Sequence, residues 1–181
     1  VYKRQLSVLE ISSYDAIKRL NDGSIDIVLT PLDIKERFNT MESIDIYPTA
    51  NIFCTSLNDP LAQQDSVTFL DIRQRPIAVL NSKLPVDWPL QIRLCTNTSS
   101  LIREAVSKGI LCALLPQDFV RDWDDVAVLP FNPPQNCAVK AVWNKNLPHS
   151  SALQEFVDFL LEYFAAQGIV LPEEKIEDDE I

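Results

Sequence analysis

Two short runs of hydroxyl and amide side chains stand out by type and by place: Ser12-Ser13, and Thr96-Asn97-Thr98-Ser99-Ser100. Each lies between an apolar stretch and a helical period, formed by Ala16, Ile17 and Leu20 after the first run and by Leu101, Ile102, Ala105 and Val106 after the second. Oxygens of these types accept from the free N–H groups of a helix's first turn, and those same N–H groups can hold a ligand. The chemistry on offer is recognition by hydrogen bonding, with no bond made or broken. Ser12, Ser13, Thr96, Asn97, Thr98 and Ser99 are the candidate binding residues. Two helix N-termini favour negative charge, so the ligand is expected to be a small molecule, anionic ones included.

Other chemistries lack their parts. A nucleophilic hydrolase needs a base beside its nucleophile, and the single histidine, His149, stands at the entry to a helix after Pro148. Three glycines and no GxGxxG or P-loop pattern leave no phosphate-cradling loop. Cys54, Cys95, Cys112 and Cys137 are widely spaced, so no metal site is expected. Cys54 and Cys112 fall within apolar runs and read as reduced core residues of a cytoplasmic protein, with a thiol sensor based on Cys95 as the alternative. Asp124-Asp125 reads as solvated charge. No enzymatic activity, metal or cofactor is expected. A net charge of −10 argues against direct binding of nucleic acid, with Lys3-Arg4 and Lys18-Arg19 read as solvated faces. No leader and no apolar run of membrane-spanning length is seen.

The elements that would position the two runs repeat. Residues 6–11 read as a strand, followed by the Ser12/Ser13 cap, a helix, Gly23, and a buried strand at 25–29 before Pro31. Residues 93–95, the second run, a helix, Gly109 and the apolar strand 110–115 before Pro116 form the second copy. Ligands of open parallel sheets bind outside the carboxyl ends of the strands, where these caps lie. Further strands are expected at 44–47 and 49–55, at 76–80, at 126–129 and at 137–143. Residues 81–91, with Pro85, Trp88 and Pro89, are expected to cross between lobes or lie over the sheet, and 130–134 to be a proline-rich loop. Ser66 or Thr68 could cap a short helix through Phe69, Leu70 and Ile72. The last helix reads most clearly. Ser151 with Gln154 suggests a capping box, Leu153, Phe156, Val157, Leu160, Leu161 and Phe164 trace one apolar stripe, and Gly168 and Pro172 end it before an acidic tail at 173–181.

Asn97-Thr98, Leu101, Val106, Gly109 and Ala113-Leu114-Leu115-Pro116 resemble the second lobe of the effector-binding domain of LysR-type transcriptional regulators. Ser13, Leu20, Gly23, Ile25 and Asp26 resemble the first lobe. Residues 57–61, 69–72, 138–143 and 153–160 extend the likeness over nearly the whole chain. The resemblance implies an α/β fold of two Rossmann-like lobes joined by crossover strands, like the type II periplasmic binding proteins. The chain would divide into residues 1–75 (lobe I, first part), 76–142 (lobe II) and 143–181 (return to lobe I). It further implies a small-molecule effector in the inter-lobe cleft, touched by Ser13 and by Asn97 and Thr98, with closure changing how an oligomer sits on DNA.

Two departures from the family pattern bear on this. Leu111 stands where a second glycine is usual. The DNA-binding winged helix, the linker helix and the first strand and helix of lobe I are not seen, so the chain is expected to be a truncated regulatory domain. It would reach DNA only through that winged helix and would form a homo-oligomer at full length. The competing expectation is an extracytoplasmic solute-binding protein of the same fold.

Overall fold

The computed structural model describes residues 6–31, 39–80, 89–148 and 150–169, without the side chains of Ser13 and Tyr14. Lys3-Arg4, residues 81–88, His149, Pro172 and the acidic tail lie outside the described residues.

Two long strands dominate. β2 (Met41–Ser56) and β6 (Val126–Asn144) run antiparallel and pair from Met41↔Asn144 to Ser56↔Val126. β1 (Val28–Thr30) flanks β6, and β5 (Cys112–Pro116), β3 (Pro76–Leu80) and β4 (Gln91–Thr96) follow on the far side of β2. The six-stranded order is β1-β6-β2-β5-β3-β4, with β3, β4 and β5 mutually parallel and β5 antiparallel to β2. The fold is α/β with two lobes on one mixed sheet, and the crossover strands are β2 and β6.

The four expected strands at 44–47, 49–55, 126–129 and 137–143 are thus two strands, and the expected loop at 130–134 lies inside β6. Register jumps on β2 between Asp45 and Tyr47 and between Asn51 and Ile52, where β6 moves from Gln135 to Pro130 opposite. Prolines survive there because the extra residues of a bulge need no ladder N–H.

Residues 6–11 are a second correction: they form no strand, and Leu6, Val8 and Leu9 are exposed. Apolar character alone does not make a strand. Its N–H and C=O groups need a neighbour, and no described strand pairs with this segment. The strand expected at 25–29 is likewise only Val28–Thr30.

Helices cover both faces. In the second lobe, Phe53, Ile77, Val79, Cys112 and Leu114 point to one side, under Leu61, Val67 and Ile72. Ile52, Cys54, Ala78, Ala113 and Leu115 point to the other, under Ile102 and Val106 of α3 (Ser99–Ser107). That alternation is the period-two signature of a sheet buried on both faces. In the first lobe, Leu20 of α1 (Ser13–Asp22) meets Met41 and Val142, while Val157 of the C-terminal helix (Ser151–Ala166) meets Ile46 and Ala141. A short helix, α2 (Phe69–Ile72), is preceded by Thr68, whose N–H and hydroxyl both donate to Asp71 Oδ2 at 2.7 Å.

Candidate functional site

The first lobe's helix starts at the expected Ser12/Ser13 pair. Ser12 is its cap: Ser12 Oγ accepts from the Asp15 N–H at 3.2 Å and donates to Asp15 Oδ2 at 2.8 Å. Ser13 is the first helical residue. The Asp15 carboxylate therefore already faces the positive end of α1, which weakens that end's pull on any other anion.

The second lobe's helix has a more open start. Thr98 is the cap, yet its hydroxyl makes no capping bond, and no acidic side chain stands in the first turn. Thr96 Oγ1 instead accepts from the Thr98 N–H at 3.1 Å, which tightens the turn carrying Asn97 out of β4. Ser99 and Ser100 head α3, where N–H groups have no intrahelical acceptor.

The strand directions fix where such ends meet. β1 pairs with β6 so that Thr30 faces Lys140, and β5 pairs with β2 so that Pro116 faces Asn51. β3 and β4 run parallel to β5. The carboxyl ends of β1, β3, β4 and β5 all point at the middle of the molecule, level with the stretch of β2 between its two register shifts. There lies a cavity of about 350 Å³, lined by Thr30, Leu80, Asn97, Pro116 and Phe119 among others. Residues 6–11, Ala16 and Phe156 line it as well.

Of the candidate residues whose side chains are described, Asn97 lines this cavity; Ser12, Thr96, Thr98 and Ser99 do not, and the Ser13 side chain lies outside the described residues. Thr30, Leu80, Pro116 and Phe119 were not singled out from sequence. The available signal was positional: Thr30, Leu80 and Pro116 each end a strand, Phe119 ends the turn after one, and Thr30 precedes a proline. Cavity-lining residues are mostly apolar, and Glu10 is the one charged residue on the wall among those described. No basic side chain lines it there. No cluster of histidine, cysteine and carboxylate side chains suited to a metal occurs among the described residues.

These features match known proteins over most of the chain. Residues 3–165 match the LysR substrate binding domain. The chain belongs to that family. No curated protein matches it. Among solved structures, the chain is similar to the effector binding domain of QuiR in complex with shikimate, at 19% identity and a TM-score of 0.72, covering 88% of this chain and 80% of that one. It is also similar to the regulatory domain of CcmR from Synechocystis PCC6803 in complex with 2-PG, at 12% identity and a TM-score of 0.70, with 82% and 78% covered. The reduced form of OxyR shares 16% identity at a TM-score of 0.69, with 86% and 79% covered. The two-lobed periplasmic-binding-protein-like fold is common to them, and the family is a regulator's ligand-binding domain, not a known enzyme family. LysR regulators bind small-molecule effectors and DNA. Among the described residues, no helix is long and apolar enough to cross a membrane.

Proposed function

We propose that this LysR effector-binding domain senses its small molecule in the cavity at the strand ends, with Asn97 as the principal polar contact. The single observation that carries this is convergence: strands of both lobes end at one cavity, so one ligand can touch both. The chain would act without catalysis, in the cytoplasm, as part of a homo-oligomer whose DNA-bound form responds to the ligand. In this reading the boundary between lobes crosses β2 and β6 near Asn51 and Gln135 rather than falling at 75/76. Leu61, Val67 and Ile72 share a core with Ile77 and so go with the second lobe.

The effector class follows from the wall. With Glu10 its one described charged residue and Asp15 already at the end of α1, an uncharged and largely apolar molecule fits better than an anion. The QuiR and CcmR complexes support small effectors in this fold without naming the one bound here.

The test is a thermal-shift screen of matched neutral and carboxylate compounds, followed by calorimetry. Neutral compounds should raise the melting temperature more than their carboxylate counterparts. Asn97→Ala should weaken the best hit about fivefold to tenfold, the worth of one hydrogen bond. Leu80→Trp, which fills the cavity, should abolish binding. Full affinity in both variants would remove the cavity as the site.

A further inference from the structure

The 3-10 turn Gln117–Phe119 follows directly on β5. Pro116 and Phe119 line the cavity. Between them Asp118 reaches the crossover strand instead: Thr49 Oγ1 donates to Asp118 Oδ2 at 2.6 Å across 69 residues of sequence. Thr49 is buried at 3% exposure, so its hydroxyl has little access to water as an alternative partner. It lies on the stretch of β2 between the two bulges, opposite Cys137. Burial first, and then the Asp118 charge, raises the pKa of both Tyr47 and Cys137, so this carboxylate is felt on both crossover strands. Its second oxygen is held by Arg121 Nη2 at 3.1 Å, which fixes the carboxylate's orientation.

We propose that Asp118 is a positioning residue that ties the Pro116–Phe119 wall to β2, so that a ligand pressing on Phe119 is felt by the Thr49 segment between the bulges. This rests on the cavity being the ligand site. Residues 47–51 pair in register with 135–139, but the ladder is interrupted on both sides of them, so a contact delivered to this short stretch moves the joint between lobes more readily than one delivered to continuously paired strand. The coupling runs through one turn, one carboxylate and one hydroxyl.

The test uses N-phenyl-1-naphthylamine, a neutral apolar fluorophore, as the probe, with Leu80→Trp as the cavity control. In the unmodified chain, probe binding should slow hydrogen exchange of the 47–51 backbone about threefold or more, as expected when an opening is suppressed. Asp118→Asn and Thr49→Val should still bind probe but lose that slowing, and Thr49→Ser, which keeps the hydroxyl, should restore it. A purely structural role would lower urea stability and leave the exchange response intact, which would overturn the proposal. No slowing in the unmodified chain would overturn it too. Probe binding that survives Leu80→Trp would fail the cavity assignment itself, and the coupling with it. Should Thr49→Val not fold, the comparison of Asp118→Asn with Thr49→Ser decides the matter in the same way.

Discussion

Asp59 shows how little of a residue's behaviour follows from its own chemistry. Burial would raise its pKa, but the Arg75 hydrogen bond and charge and the Leu61 N–H at 2.9 Å outweigh that, leaving it below the usual carboxylate value. A carboxyl whose folded pKa is depressed adds stability above its unfolded pKa near 4, and that stability is lost as pH falls through the folded value. Asp59→Ala should therefore cost about 1–3 kcal/mol near neutral pH, since Arg75 loses its partner, and the difference should shrink below pH 4. Urea melts across that range would check it, and a pH-independent cost would contradict it. Cysteine reactivity is set the same way. Burial, with Cys112 beside it, pushes the Cys54 thiol up to about 12, whereas Cys95 is exposed. Ellman's reagent at pH 8 should modify Cys95 fast and Cys54 only on unfolding.

Among the elements, the helices were legible because their signals are local. The three positive-φ glycines, Gly23, Gly109 and Gly168, stand where the helical periods stop, and the apolar stripe of the C-terminal helix reads correctly. Its cap does not: Ser150, not Ser151, accepts from the Leu153 N–H at 3.2 Å, and Gln154 donates to Asp158 instead of closing a box. Ser150→Ala should cost about 1 kcal/mol and Ser151→Ala much less, read from denaturation midpoints. Strands were harder because pairing is not in the strand's own sequence. Pro48 and the run at Pro130, Pro133 and Pro134 read as breaks, yet Pro48 pairs in register with Ala138 and β6 passes through 131–134 by bulging. Residues 6–11 looked like a strand and are unpaired. Asp124-Asp125 is solvent-exposed, as its sequence suggests, and both carboxylates also accept from Arg103 at 2.8 Å, linking α3 to the start of β6. The caps point to the end of the sheet where the cavity lies, and Asn97 lines that cavity. Phe119 was invisible, because its place depends on a turn held from another strand.

For the whole molecule, the shared strands decide cooperativity. Phe53 and Ile46 lie on one strand but in the cores of different lobes. Losing either core should unravel the ladder that supports the other, so calorimetry should show one unfolding transition, and Phe53→Ala should lower it as a unit by about 3–5 kcal/mol. Two resolved transitions would contradict this. Ser56 and Val126 sit opposite one another, so everything from 57 to 125 is spliced in at the tip of a hairpin. The described chain both enters and leaves through the other lobe. A pull applied at either end of the described chain therefore acts first on that lobe, and the spliced-in portion learns of it through the hairpin's stem and whatever bridges the gap.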